Sequence, residues 1–294
     1  MNPNIGANFL VGARHGTRSS DRGFQFEEAE FSFKSDVDPY FTANMIFSVA
    51  EQSPGSYGIT PEEVYVDTTS LEGITIRAGK FYSFFGKQNT LHTHIFPFID
   101  APLISSALFG DGLNLPGISG SAILPTSFFS ELSLQALGNA HVLARIRTLF
   151  ETSDFSTLEI GASGLSKRAF GLDLTFKYRP TDRGQGRRLN LAGEWMSGQV
   201  DGFTQMDTSQ GLPVQGFDVY GQFEFLSRTY LQYRYDDLIS NHQTRHGILL
   251  GYTPSEFSVL RIQADRSLLL GSNPEYRVIA QANFTIGFHP AHDY

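Results

Sequence analysis

Long runs in which apolar and polar residues strictly alternate are the feature that most restricts the fold of this chain. In segment 276–288, read YRVIAQANFTIGF, an apolar or small residue occupies every second position, and Arg277, Gln281 and Asn283 fall between them. Similar alternation occupies 141–151, 169–179 and 217–225. A period of two predicts β-strands. These strands exceed the usual length of about 5–6 residues and match the roughly 9–11 residues with which a tilted strand crosses a bilayer.

Sixteen segments carry this pattern or a weaker form of it, and an even number is what a closed single-chain bacterial barrel requires. Segments 60–73 and 184–198 are weakly patterned, so fourteen and eighteen strands remain alternatives. The predicted strands are 4–13, 24–34, 38–50, 62–69, 73–85, 115–124, 127–138, 140–151, 155–165, 168–179, 187–198, 215–226, 228–238, 243–253, 256–266 and 276–288.

The connections between these strands separate a soluble sandwich from a membrane barrel, because both would show the same alternation. Connections after even-numbered strands are mostly short and rich in Pro, Ser or Asp. Short periplasmic turns and longer extracellular loops are typical of outer-membrane barrels. We therefore predict an all-β fold, a closed antiparallel transmembrane β-barrel of about sixteen strands, with 1–294 as one domain. The long connections all follow odd-numbered strands: 14–23, 51–61, 86–114, 199–214 and 267–275.

Composition excludes several other classes of protein. The net charge of −8 argues against a nucleic-acid partner, which would require a basic face. The chain has no Cys, so disulfides, thiolate metal ligands and thiol nucleophiles are excluded together. No apolar run reaches the roughly 18 residues of a transmembrane helix. No signal peptide is visible, as expected of a mature exported protein.

The longest connection, 86–114, follows the fifth predicted strand. A sixteen-stranded barrel whose third outer loop is the long one resembles the bacterial porins, in which that loop folds inward and narrows the pore. Four phrases between Asp36 and Gln135 also resemble an uncharacterised proteobacterial outer-membrane family, often loosely labelled porin or receptor. They read DVDPYF, RAGKFYSFFG, LHTHIFPFIDAPL and LPTSFFSELSLQ.

The resemblance implies a location and a set of partners. We expect the protein in the bacterial outer membrane, inserted by the barrel-assembly machinery and surrounded by lipid and lipopolysaccharide. Identical subunits assembled as a homotrimer are a further expectation. Small hydrophilic solutes would pass through the channel, and no cofactor is required.

The loop contains His92 and His94, which are one residue apart. In an extended segment their side chains point the same way, which would allow both to bind Zn²⁺ or Cu²⁺ with Asp100 or Asp111 as a third ligand. A single HxH is a weak motif. The alternative interpretation, which we favour, is that both histidines fix the loop to the inner wall of the barrel by hydrogen bonds.

Charged residues with inward parity predict the lining of the pore. Rings of charge set ion preference in channels, and a basic wall that faces an acidic loop would produce a field across the pore. The alternative is that these charges only pair with each other across neighbouring strands. The predicted constriction and selectivity residues are Arg77, Arg145, Arg147, Arg234, Arg245, Arg261, Arg277, Asp100, Asp111, Glu28 and Glu30.

These features predict a porin that forms a water-filled channel for passive diffusion of ions and small hydrophilic solutes. Two alternatives remain: a structural or adhesive barrel plugged by its loops, and a metal-responsive channel for a specific substrate. We do not expect an enzyme. His246 has outward parity, but no outward-facing Ser lies clearly level with it, and a triad needs three groups within hydrogen-bond reach.

Overall fold

The computed structural model describes residues 3–19, 22–53, 55–166, 168–180, 187–200 and 212–287. They form a closed antiparallel barrel in which each strand pairs with the next along the chain and β1 pairs with β16. The strands are β1 (Asn4–Gly16), β2 (Arg22–Asp38), β3 (Phe41–Ser53), β4 (Ser56–Thr68), β5 (Ile74–Tyr82), β6 (Asn114–Ile123), β7 (Phe129–Leu137), β8 (His141–Ser153), β9 (Ser156–Leu165), β10 (Ala169–Tyr178), β11 (Arg188–Val200), β12 (Leu212–Leu226), β13 (Thr229–Leu238), β14 (Gln243–Ser255), β15 (Ser258–Leu269) and β16 (Glu275–Gly287).

All sixteen predicted strands are therefore confirmed, including the two weakly patterned ones. The predicted connection 51–61 was wrong, because β3 and β4 continue as a ladder until Ser53 pairs with Ser56. The connection predicted at 14–23 is likewise shorter in the structure, since β1 ends at Gly16 and β2 begins at Arg22. Strands β1 to β4 thus extend beyond the segments in which apolar and polar residues alternate, and their added residues are mostly polar on both faces of the strand.

The two ends of the barrel differ in their connections. We call the end where odd-numbered strands finish the loop rim, and the opposite end the turn rim. The long connection 83–113 joins β5 to β6 at the loop rim and contains two 3₁₀ turns, Gln88–Thr90 and Thr93–Ile95, and the helix α1 (Leu103–Phe109). Within the described residues, no helix is both long and apolar enough to span a membrane.

The strands turn apolar side chains outward and polar side chains inward. On β10, the outward Leu172 and Leu174 are 46% and 45% exposed, whereas the inward Asp173 and Thr175 are 4% and 2% exposed. An apolar outer face and a polar interior are the arrangement of a transmembrane barrel. Closure also leaves no strand edge, so backbone hydrogen-bonding groups are satisfied within the sheet.

An apolar core lies inside the barrel, where the connection 83–113 packs against the inner wall. Phe85, Ile104, Leu108 and Phe109 from this connection are fully or almost fully buried. They pack with wall residues of β7 to β13, which are Leu137, Leu143, Leu165, Ala169, Met196, Val214 and Leu238. Hydrophobic burial therefore holds one side of the loop against this half of the barrel.

Candidate functional site

The connection 83–113, here called the inner loop, crosses the interior and meets the wall on several sides. At its start, the backbone N–H of Gly86 donates to Ser163 Oγ on β9 at 3.0 Å. The next two N–H groups, of Lys87 and Gln88, donate to the Glu194 carboxylate on β11. One buried carboxylate thus satisfies two loop amides that water would otherwise have to solvate.

Asp100 binds the wall at β13, β14 and β16 through three arginines. Its Oδ1 lies 2.8 Å from Arg234 Nη2, and its Oδ2 lies 2.7 Å from Arg245 Nη1 and 2.5 Å from Arg277 Nη2. We call these four residues the Asp100 cluster. Burial alone would raise the pKa of Asp100, but the charges of the three arginines hold it well below its usual range.

Two further wall residues hold the backbone of the inner loop beside the Asp100 cluster. Arg261 Nη1 donates to the Phe96 carbonyl at 2.7 Å, and the Ile99 N–H donates to Gln263 Oε1 at 2.8 Å. The four arginines that parity placed on β13 to β16 therefore all reach the inner loop. One arginine lies on each of these four neighbouring strands, so together they form a basic strip that faces one segment of the inner loop.

The other three arginines of the predicted set pair with acids on the wall. Arg77 binds Asp67 at 2.8 Å, Arg145 binds Asp173 at 2.6 Å, and Arg147 binds Glu131 at 3.1 Å. For these three residues, the contacts match the alternative interpretation of cross-strand pairing. Each pair joins neighbouring or next-but-one strands and leaves no unpaired guanidinium.

Two β-bulges shape the acidic side of the interior. The register of β2 shifts opposite Leu10 and Val11, and the register of β4 shifts opposite Ile46 and Phe47. Each bulge holds one extra residue, Glu27 and Glu62 respectively. A bulge interrupts the alternation, so two consecutive side chains face the same way. Glu62 and Glu63 consequently both reach the interior.

His92 lies where the inner loop meets this acidic wall. Its Nδ1 is 2.9 Å from Glu62 Oε2 and 3.0 Å from Glu30 Oε2, and its Nε2 is 3.0 Å from Glu63 Oε2. Burial would lower the pKa of His92, but the carboxylates of Glu30, Glu62 and Glu63 around its ring outweigh that effect and raise the pKa well above the usual histidine value.

His94 lies beside His92, with its Nδ1 3.4 Å from Glu30 Oε2. The two imidazole centroids are 6.0 Å apart, although a 3₁₀ turn begins at Thr93 and the segment is not fully extended. The carbonyl of His94 accepts a hydrogen bond from Asn283 Nδ2 at 3.1 Å. Both histidines therefore attach the inner loop to the wall.

Neither Asp100 nor Asp111, the predicted third metal ligands, belongs to the group of donor atoms around His92, which Glu30 and Glu62 complete. Asp100 is occupied by the three arginines, and Asp111 is an exposed residue that lines a cavity near the loop rim. The acids beside the histidines come from the wall instead. Glu30 was expected to face inward, but strict alternation missed Glu62, because it cannot reveal a bulge; the only signal was the consecutive acids Glu62 and Glu63.

Three cavities follow one another along the inner loop. The loop-side cavity, of about 630 Å³, is lined by residues that include Glu28, Glu62, Lys80 and Asp111. The turn-side cavity, of about 680 Å³, reaches the β8–β9 hairpin at the turn rim. Between them is a narrow cavity of about 30 Å³, which has room for only a few water molecules.

The narrow cavity shares lining residues with both of its neighbours. Gln88 and Leu91 also line the loop-side cavity, and Lys87 and Thr175 also line the turn-side cavity. The three spaces thus form a series that runs between the inner loop and the wall of β10 to β12. Its narrowest part lies at the first turn of the inner loop.

Comparisons with known proteins agree with this architecture. No family model matches the chain. An uncharacterised protein of Aquifex aeolicus (strain VF5) is 26% identical over a gapped alignment 351 positions long, which covers 96% of this chain and 72% of that protein.

Four solved structures, which belong to three proteins, each align with 97% of this chain and with 99% of their own chain. OmpT of Vibrio cholerae, an outer membrane protein, gives a TM-score of 0.64 at 10% identity as a loop L8 deletion mutant, and 0.60 at 8% in a trimer form. The anion-selective porin from Comamonas acidovorans gives 0.59 at 10% identity. A triple mutant of Rhodopseudomonas blastica porin gives 0.57 at 13% identity. The chain therefore has the fold of the bacterial outer-membrane porins.

Proposed function

We propose that this protein is an outer-membrane porin that lets ions and small hydrophilic solutes diffuse passively through its barrel. The observation that carries the proposal is the series of three cavities from the loop rim to the turn rim. Sixteen strands enclose more space than side chains alone fill, since about eight strands already suffice for a filled interior. The inner loop takes up part of this space and leaves a passage beside β10 to β12.

The narrow cavity sets the size of what passes. Its volume of about 30 Å³ admits water and small ions, whereas larger solutes require displacement of Lys87, Gln88 or Leu91. Lys87 Nζ donates to Thr175 Oγ1 at 2.9 Å across this passage. We infer that the first turn of the inner loop is the constriction, and that charges on both sides tune the passage of ions.

The surroundings of the barrel follow from the same proposal. The outward apolar residues require lipid, and an outer-membrane barrel meets lipopolysaccharide and is inserted by the barrel-assembly machinery. The trimer form recorded for OmpT supports a homotrimer for this chain. The polar interior, rather than any catalytic set of residues, is the part of this molecule that we assign to function.

A second candidate function is a structural barrel plugged by its inner loop. The observation that favours it is the number of attachments of the inner loop: to Glu194 on β11, to Glu30 on β2 and to the arginines of β13 to β16. A loop fixed on three sides resists displacement. In that case the narrow cavity would trap water rather than conduct it.

Conductance in a planar bilayer distinguishes the two candidates. The porin proposal predicts stable, ohmic current steps for the purified protein. Leu91→Trp, which enlarges a side chain shared by the narrow and loop-side cavities, should reduce the current of each step several-fold. Leu172→Trp on the outward face is the matched control and should leave the current unchanged. Absence of any steps in the folded wild-type protein would contradict the porin proposal and favour the plugged barrel.

A further inference from the structure

We propose that the interior of the barrel holds one divalent transition-metal ion, Zn²⁺ being the best fit, between His92 of the inner loop and Glu30 and Glu62 of the wall. Three donor atoms converge there: one imidazole nitrogen and one carboxylate oxygen from each glutamate, all within 4.8 Å of one another. They come from three separate elements, namely the inner loop, β2 and β4.

Two carboxylate oxygens face His92 Nδ1, so hydrogen bonds alone do not account for the contacts of this nitrogen. Glu62 Oε2 and Glu30 Oε2 lie 2.9 Å and 3.0 Å from the same nitrogen, which carries at most one proton. That proton can serve only one of the two oxygens, and Glu30 Oε2 is buried without a well-aligned hydrogen bond among the described residues. A metal ion in contact with all three atoms would satisfy both oxygens at once.

The other ring nitrogen of His92 already has the partner that metal-bound histidines usually have. His92 Nε2 lies 3.0 Å from Glu63 Oε2, and the other oxygen of Glu63 accepts the Tyr82 N–H at 3.0 Å. A carboxylate on the second nitrogen fixes the tautomer, turns the free nitrogen toward the metal and raises its basicity. Glu63 is thus a positioning residue rather than a ligand.

The local charge also favours a cation. Glu30, Glu62 and Glu63 place three carboxylates within 3.4 Å of His92 and His94. A divalent ion that displaces the proton on His92 Nδ1 would add positive charge among these buried carboxylates, whose negative charge is costly without compensation. Glu28 and Glu62 line the loop-side cavity, so an ion from solution has a path to the site. The bulge in β4 matters here, because it turns Glu62 to the interior beside Glu63.

The donor set selects the type of metal. An imidazole nitrogen with carboxylate oxygens suits Zn²⁺, whereas Ca²⁺ and Mg²⁺ prefer oxygen ligands alone. A fourth position is open to water or to His94 Nδ1, which lies 3.4 Å from Glu30 Oε2. Binding would tie the inner loop to β2 and β4, in addition to its attachment at the Asp100 cluster, whether or not the barrel conducts ions.

Titration calorimetry of the folded protein in detergent with ZnCl₂ tests this inference directly, without reference to conductance. We expect saturation at one Zn²⁺ per barrel. His92→Ala and Glu62→Gln should each abolish saturable binding, and Glu63→Ala should weaken it about 10–100-fold while the stoichiometry stays at one. X-ray absorption of the complex should show a first shell of N and O atoms that includes imidazole.

His246→Ala is the matched control, because His246 lies on the outward face and hydrogen-bonds Tyr233. It should bind Zn²⁺ as the wild type does. The β-sheet signal in the circular dichroism spectrum is measured to confirm that every variant is folded. The inference is overturned if the folded wild type shows no saturable Zn²⁺ binding, if folded His92→Ala binds as tightly as the wild type, or if Ca²⁺ displaces Zn²⁺ from the site.

Discussion

A single carboxylate, that of Asp100, binds guanidinium groups from three different strands. Charge-assisted hydrogen bonds of this kind are stronger than neutral ones. Arg245 also binds Asp236 at 2.7 Å, and Arg277 also binds Asp265 at 2.7 Å, so the cluster continues into the wall. Asp100 is the member of this network that comes from the inner loop. It therefore couples the position of the loop to the rigid barrel.

Replacing Asp100 with Asn should release this side of the inner loop while the barrel remains folded. Removing one partner of a buried ion pair typically costs about 3–5 kcal/mol, because the remaining charges stay buried without compensation. We expect faster cleavage of the inner loop by a protease of broad specificity, followed by mass spectrometry of the fragments. Asp67→Asn is the control, since its partner Arg77 lies on the wall. Equal cleavage rates in the two variants would show that Asp100 does not hold the loop.

At the residue scale, the sequence predicted the direction of side chains better than their partners. Alternation correctly placed Arg234, Arg245 and Arg261 in the interior, because strand parity fixes which face a residue occupies. It could not reveal that Asp100 meets these arginines, since that contact depends on how the loop folds back over more than a hundred residues of chain. Glu62 was missed for a local reason: one extra residue in β4 reverses the parity.

At the scale of elements, strand positions were predictable and several strand ends were not. Alternation exists only where one face meets lipid and the other meets water. Beyond the part of the barrel that contacts lipid, both faces of β3 and β4 are exposed to water. Residues such as Gln52 and Ser56 are therefore polar on either face, and this stretch of sequence resembles a loop. The backbone ladder nevertheless continues to the pair Ser53 and Ser56. Hydrogen bonding thus extends the hairpin past the point where the sequence pattern stops.

The inner loop packs closely because the wall carries glycines where the loop touches it. A Cβ on Gly171 of β10 would lie 2.8 Å from Phe85 Cε1, and a Cβ on Gly198 of β11 would lie 2.9 Å from Leu108 Cδ1. Phe85 begins the inner loop and Leu108 belongs to α1, and both are almost fully buried. Small residues on the wall therefore form the recesses that receive the apolar side of the loop.

A methyl group at Gly171 should force Phe85 out of its recess. Overpacking of a buried site typically costs about 1–3 kcal/mol, so Gly171→Ala should lower the free energy of unfolding by that amount. Gly164→Ala on the neighbouring strand is the matched control, because a Cβ there meets no atom within 4 Å. The control should be neutral or raise stability by up to about 1 kcal/mol. Urea unfolding in lipid vesicles measures both, and equal stability of the two variants would contradict close packing at Phe85.

At the scale of the whole molecule, the fold alone does not determine which ions pass. The porin from Comamonas acidovorans with this fold is anion-selective, yet its identity to this chain is only 10%. Function resides in the charges placed on a shared fold. In this barrel, three arginines of the basic strip of β13 to β16 are already paired with Asp100, Asp236 and Asp265, and Arg261 donates to Gln281 and to the Phe96 carbonyl. The charges that remain to act on a passing ion are those that line the cavities.

The loop-side cavity predicts a preference for cations. Glu62 and the exposed Asp111 line it together with one cation, Lys80, among the described lining residues outside the Asp100 cluster. An acidic cavity raises the local concentration of cations over roughly a Debye length, about 10 Å at 0.1 M salt. In a bilayer with a KCl gradient and a chelator present, the reversal potential should have the sign of K⁺ preference. Asp111→Asn should move it toward zero and Lys80→Gln should move it further from zero. Because the two variants remove charges of opposite sign from one cavity, a shift in the same direction for both, or a wild-type potential of the anionic sign, would show that this cavity does not control selectivity.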